Sequence, residues 1–200
     1  MICKWIRWHN MLQIGERSMK RIAVFLADGF EEIEGLTVVD LCRRAGIDTI
    51  MVSIMSTKKV IGAHEITVEA DICLQELDFS SMDMLVLPGG LNGTRNLEGC
   101  EELMKQFDDF NRNGKCISAI CAAPTVFGHR GYLKNRKACC YPGLEDELID
   151  AIVSYDEVVV SDHITTSRGL GTAIVFALAI VKRYCGEDTA AQLAKKVVYK

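Results

Sequence analysis

The 200-residue sequence predicts an α/β fold: a three-layer sandwich with a mostly parallel sheet and helices on both faces. Three observations predict it. The apolar runs RIAVFLA (21–27), DMLVL (83–87) and KCISAI (115–120) have strand length but lack the polar alternation of a half-exposed strand. Segments with helical periodicity separate them. The composition, 49% hydrophobic and 25% charged, supplies enough apolar side chains for a sizeable core.

The elements follow in order. RIAVFLA leads through DGFEE into a helix over 33–46, with Ile33, Leu36, Val39 and Leu41 on one stripe and Gly46 as its stop. DTIMVSI (48–54) is the second strand, and residues 58–69 hold a short β excursion. DMLVLPGG (83–90) is a strand entering a Gly-rich turn. CEELMKQFDDFNRNG (100–114) is an amphipathic helix ended by Asn-Gly. After the strand at 115–120, AAPTVFGHRG (122–131) begins a helix at about Ala122. KACCYP (137–142) and EVVVSDHITTSRG (157–169) read as strands, and 171–184 and 187–197 as closing helices. The first residues, MICKWIRWHNMLQIGERS (1–18), hold both Trp residues and show no clear period. They lack a signal peptide's apolar core and cleavage site. They read as an N-terminal extension, a mis-called start or a loose tail, ahead of a single domain over 19–200.

Charge and cysteine usage exclude several function classes. Lys and Arg total 23 against 27 Asp and Glu, a net charge of -4. That balance offers nothing to a nucleic acid or an anionic membrane. TAIVFALAIV (172–181) is too short to span a bilayer, which needs about 20 residues. Nine Cys without small-domain spacing indicate reduced thiols in a cytoplasmic setting. No C-x-x-C or H-x-x-x-H pair is present, so no metal site is expected. The vicinal Cys139 and Cys140 read as alternating faces of a strand, and Cys116 as core. His129 and His163 read as surface residues.

Three loops leave strand ends where a doubly wound sheet gathers ligands. Cys121 stands where the strand 115–120 gives way to a helix, the geometry of a nucleophile elbow. A helix N-terminus there favours the thiolate and a lowered thiol pKa. Gly89 and Gly90 of the PGG turn, with Ala122, offer backbone N–H groups to an oxyanion. Glu34, in DGFEEIE (28–34), lies on the first helical turn beside the same rim. A carboxyl next to a thiolate in an apolar cleft has its pKa raised, so it can donate a hydrogen bond and act as general acid and base.

These motifs resemble the ThiJ/PfpI superfamily, and within it the DJ-1 branch, named for a parkinsonism-associated protein. The stretches that carry the resemblance are RIAVFLADGFEEIEGLTVVDLCRRAG, DMLVLPGGLNGTRNL, AICAAPTVF and TSRGLGTAIVFALAIV. They span residues 20–200 in the family's order. The resemblance implies a flavodoxin-like fold and a homodimer; nucleophilic addition with proton transfer calls for no cofactor. It makes Cys121 the reactive thiol, Glu34 its carboxyl partner, and Gly90 and Ala122 the anion-pocket donors. The functions it implies are glutathione-independent glyoxalase, deglycase and redox-responsive chaperone.

The sequence departs from the family pattern at four places. Tyr141 stands where DJ-1-type members have His, which weakens a His-dependent proton relay and leaves Glu34 more of the work. His64 stands where they present an Arg from the dimer mate, which makes anion attraction weaker and pH-dependent. Ala122 stands where the protease-like branch has His, which argues against a peptidase. Leu170 replaces a usual Pro. The function expected is Cys121 and Glu34 chemistry on a small aldehyde or glycated substrate. The alternative is a non-catalytic oxidative-stress sensor using the same thiol.

Overall fold

The computed structural model describes residues 19–199, so the extension read at 1–18 lies outside the described residues. In chain order the elements are β1 (Arg21–Leu26), α1 (Glu32–Arg44), β2 (Asp48–Ser53), β3 (Lys59–Ile61), β4 (Thr67–Glu69), β5 (Ile72–Cys73), β6 (Met84–Leu87), α2 (Leu91–Glu98), α3 (Glu101–Arg112), β7 (Cys116–Ile120), α4 (Pro124–His129), β8 (Lys137–Ala138), β9 (Ile152–Val153), β10 (Val158–Ser161), β11 (Ile164–Ser167), α5 (Ala173–Cys185) and α6 (Glu187–Lys196). Seven strands form the central sheet in the order β10-β11-β7-β6-β1-β2-β5. All its pairings are parallel except that of β10 with β11.

The continuous apolar runs are explained by two cores, one on each face. Alternate residues of β1 feed both: Ile22, Val24 and Leu26 enter one, Ala23 and Phe25 the other. The first core packs under α1, α5 and α6, through Val38, Leu41, Phe176, Ile180 and Leu193. The second packs under α3 and α4, where Phe107 touches Phe25 edge-on and tilts against Phe127, each at 5.9 Å between centroids. In α3, Leu103, Met104, Phe107 and Phe110 make the buried stripe, which is why that segment coils as a helix of period 3.6.

The order of strands places the site. From β1 the chain first adds β2 on one side, then returns to add β6 on the other. The carboxyl ends of β1 and β6 therefore flank a topological switch point, where open α/β sheets bind ligands. β7 lies beside β6, with Leu87 opposite Ala119. The loops after Ala27, Leu87 and Ile120 consequently meet at one rim.

The structure corrects several element readings. The segment 157–169 is a hairpin: β10 and β11 run antiparallel around Asp162, whose φ of 54° supplies the reversal. Only Lys137–Ala138 of KACCYP is strand, and it pairs with β9 in a separate two-stranded sheet. Cys139 and Cys140 follow that strand and both are buried; the Cys139 sulfur meets the Thr166 hydroxyl, and Cys140 joins the second core. Cys116 is half-buried rather than core, with the Arg183 guanidinium 3.6 Å from its sulfur. The helix after Cys121 starts at Pro124 because residues 121–123 form a turn. The β excursion over 58–69 is the β3–β4 hairpin, and α2, which the sequence reading left unassigned, follows the PGG turn.

Candidate active site

Cys121 closes β7 in the left-handed region, with φ of 66°. For a residue with a Cβ this conformation costs about 1–3 kcal/mol and persists only where neighbours enforce it. Two hydrogen bonds do so: the Cys121 N–H donates to the Ser167 carbonyl at 3.0 Å, and the Tyr141 N–H donates to the Cys121 carbonyl at 2.8 Å. The turn aims the thiol away from the strand axis and leaves it half-buried.

Glu34 comes from the first turn of α1 and is 1% exposed. Its Oε2 accepts a hydrogen bond from the Gly89 N–H at 3.0 Å, and its carboxyl stands beside the Cys121 thiol. Gly89 has to lack a side chain. A Cβ there would land on both the Cys121 Cβ and Glu34 Oε2. Gly90, at φ of 88°, also has to be glycine, since a Cβ would strike the Gly29 carbonyl where the two loops cross. The N–H groups of Gly90 and Ala122 stand near enough to the Cys121 sulfur to pull its pKa down. Two of the three expected anion donors therefore stand at the sulfur. Gly89 does not, because its N–H is committed to Glu34.

The electrostatics correct the expectation of a lowered thiol pKa. Burial, and then the Glu34 charge, push the Cys121 thiol up to about 12, against the pull of the Gly90 and Ala122 N–H groups. Burial also lifts Glu34 to about 7, even though the neighbouring Cys121 thiol and the Gly89 N–H pull it down. The two groups compete for one negative charge. When Glu34 takes a proton, the second cause of the thiol's high pKa disappears, and the carboxyl becomes a donor toward sulfur.

The remaining expected residues lie at the edges. Tyr141 is 52% exposed, and its ring would sit 3.4 Å from a Cβ placed on Gly169. The same Cβ would lie 3.8 Å from Glu34 Oε1, so bare Gly169 keeps the space between Tyr141 and Glu34 open. His64, in the β3–β4 turn, is taken up by its own chain. Its Nδ1 lies 2.9 Å from Glu32 Oε2 and 3.6 Å from Glu31 Oε1, and these carboxylates raise its pKa. Burial pushes Glu32 up, but hydrogen bonds from His64 outweigh it and hold it below the usual carboxylate range. Glu31, Glu32 and His64 are a group of possible metal donors within 4.8 Å among the described residues. His64 already pairs with both carboxylates there. Leu170 is exposed, and nothing in the structure explains its replacement of Pro. The sequence reading missed Ser167 and Gly169; the motif TSRG was visible, but their roles depend on contacts across the fold.

Such a centre, a strained thiol at a sheet's switch-point rim with a buried carboxyl beside it, defines a class of cysteine-centred α/β proteins. The chain belongs to the DJ-1/PfpI family, which it matches over residues 20–183. It is 37% identical over 176 residues to Protein DJ-1 homolog A of Arabidopsis thaliana, covering 88% of this chain and 45% of that protein. It is 32% identical over 167 residues to the glutathione-independent glyoxalase DJR-1.2 of Caenorhabditis elegans, covering 82% of this chain and 88% of that protein. The chain thus spans under half the length of the two Arabidopsis relatives it matches. The solved structure of oxidized Toxoplasma gondii DJ-1 superposes with a TM-score of 0.86 at 30% identity, over 90% of this chain and 98% of that one. Its flavodoxin-like fold is the fold of this chain. No helix among the described residues is long and apolar enough to cross a membrane.

Proposed function

We propose that the protein is a cofactor-free enzyme that converts reactive 2-oxoaldehydes to hydroxy acids, with Cys121 as nucleophile and Glu34 as general acid and base. The observation that carries this reading is the buried Glu34 carboxyl beside the Cys121 thiol, the two crowding the same bare face of Gly89, with the carboxyl poised at about 7. The thiol proton passes to Glu34 as sulfur bonds to the aldehyde carbon of methylglyoxal, and Glu34 hands it on to the new alkoxide oxygen, which completes the hemithioacetal and frees the carboxylate. The Gly90 and Ala122 N–H groups stabilise charge first on sulfur, then on the substrate oxygen beside it. Glu34 next moves the proton of that carbon to the adjacent carbonyl carbon while the hydroxyl proton passes to the neighbouring carbonyl oxygen, leaving a thioester of the 2-hydroxy acid. Water cleaves the thioester, releases lactate and returns the thiol. Every electron stays within substrate and water, so no redox partner is needed. The glyoxalase name of the Caenorhabditis relative supports the same reading. An early glycation adduct presents the same hemithioacetal chemistry, and Ala122 supplies no His for a peptidase.

The assay is lactate formation from methylglyoxal without glutathione, by wild type and by Cys121→Ser. Wild-type turnover with none above background in the variant is expected; equal rates end the proposal.

A second reading uses the same donors. The Gly90 and Ala122 N–H groups and a protonated Glu34 form a cradle for the oxygens of a sulfinate on Cys121, which suits an oxidative-stress sensor. Mass spectrometry after mild peroxide would then find oxidation confined to Cys121, together with negligible aldehyde turnover. Oxidation spread over all exposed thiols would exclude it. A homodimer in a reducing cytoplasm completes the proposal. The exposed Ile33 of α1 and Ile174 of α5 share one groove and supply an apolar face for a second copy.

A further inference from the structure

His129 ends α4. Its Nδ1 lies 2.7 Å from Glu98 Oε1, at the last residue of α2, and its Nε2 lies 2.9 Å from Glu147 Oε2, in the turn at 145–147. A carboxylate only accepts hydrogen bonds, so both contacts are satisfied only by the doubly protonated imidazolium. The three joined elements are those whose other ends build the site. α2 begins at Gly90, α4 follows Cys121 and Ala122, and the 145–147 turn follows Tyr141, whose N–H holds the Cys121 carbonyl. Backbone packing shows how tightly the far ends meet: a Cβ on Gly128 would strike the Glu147 carbonyl.

We propose that protonated His129 is a positioning residue, a clasp that joins the far ends of α2, α4 and the 145–147 turn and so sets the Gly90 and Ala122 N–H groups on the Cys121 sulfur. The consequence for turnover rests on the thiol chemistry proposed above; the clasp itself does not. Glu98 and Glu147 are the charged groups that act on the ring, and Arg130, next in the chain, is engaged by Asp108 of α3 and by Tyr132. Burial pulls the His129 pKa down, but the two carboxylates outweigh it and raise it above the usual value. A raised value in the folded state fixes the sign. The clasp is fully formed below the unfolded His value of about 6.5 and is lost as pH rises through the folded one. Above that point one ring nitrogen is a lone pair facing a carboxylate, and the contact turns repulsive.

The readouts are Cys121 alkylation by iodoacetamide, located by mass spectrometry, and the thermal unfolding midpoint, both from pH 5.5 to 9. Because Glu34 titrates in every variant, each variant is read as its ratio to wild type. H129Q removes the imidazolium. It is expected to slow Cys121 alkylation several-fold at pH 6 and to converge with wild type at pH 9. In E147Q a neutral ring donates to Glu98 and accepts from the introduced amide, so the clasp no longer needs the extra proton. E147Q should therefore keep the wild-type low-pH reactivity into the alkaline range. A ratio independent of pH for both variants overturns the proposal. So does an H129Q effect on unfolding with none on Cys121 alkylation. Alkylation does not require aldehyde turnover, so failure of the glyoxalase reading leaves this test intact.

Discussion

Cys42 and Cys121 are both pushed up to about 12, yet they belong to different chemistry. Cys42 lies in the helical run of α1, fully buried in the core beneath α1 and α5. Its high pKa comes from burial, with a lesser push from Cys185, and among the described residues no hydrogen-bonded acid stands beside it to reverse that. Cys121 sits in a strained turn, with the Gly90 and Ala122 N–H groups and the Glu34 carboxyl all acting on its thiol. The second cause of its shift is a charge that one proton removes. On the proposed reading, what separates the reactive thiol from the packed one is a reversible cause, not the size of the shift.

The sharpest way to break this comparison is to remove the reversible cause. Glu34→Gln keeps an acceptor for the Gly89 N–H but can neither take nor return a proton. Lactate formation should fall on the order of 10²–10⁴-fold, the usual share of general acid–base catalysis. An unchanged rate would reduce Glu34 to a structural group. The same variant has a stability signature. A carboxyl lifted from 4.5 to about 7 favours the folded state fully below 4.5 and loses that contribution as pH rises through 7. The loss corresponds to about 3 kcal/mol at about 1.4 kcal/mol per pH unit. Thermal unfolding of wild type should therefore weaken between pH 5 and 8, and Glu34→Gln should flatten that slope.

The packed thiol gives the converse case. Cys42→Ser puts a hydroxyl into an apolar core, which costs about 1–3 kcal/mol if it finds no partner. Chemical denaturation should show that loss, while turnover per folded molecule stays at the wild-type level. A large fall in turnover would mean that α1 transmits core packing to Glu34, and the two thiols would not be separable.

The sequence made the two thiols only partly distinguishable, for physical reasons. Continuous apolar runs mark strands buried on both faces, so β1, β6 and β7 and the rim they share were legible. α2 was not: LNGTRNLE is rich in Asn and Gly, and its position follows from the Gly93 N–H bonding the Gly29 carbonyl across the rim. The β10–β11 hairpin was hidden because an apolar-to-Thr run continues through Asp162, whose left-handed turn carries no Gly. Cys121 and Glu34 were legible as residue types at strand ends. The commitment of the Gly89 N–H to Glu34 was not, because the two lie 55 positions apart. The direction of the Cys121 shift was hidden too, since a favourable turn shows in the sequence and the depth of burial does not.

Tyr141 offers the smallest and most diagnostic change. Its N–H fixes the Cys121 turn, but its side chain is exposed, so substitution should leave the turn and the fold intact. The ring stands across bare Gly169 from Glu34 Oε1. A phenol donates a hydrogen bond, whereas an imidazole is the side chain suited to relay a proton near neutrality. Tyr141→His would add a group that titrates near 6.5, beside a carboxyl at about 7. If Glu34 works alone, turnover should change by a few-fold at most, and the pH–rate profile should keep its single acidic limb at the Glu34 value. A second limb near 6.5 with a markedly higher rate would mean that this site runs below capacity for want of a relay.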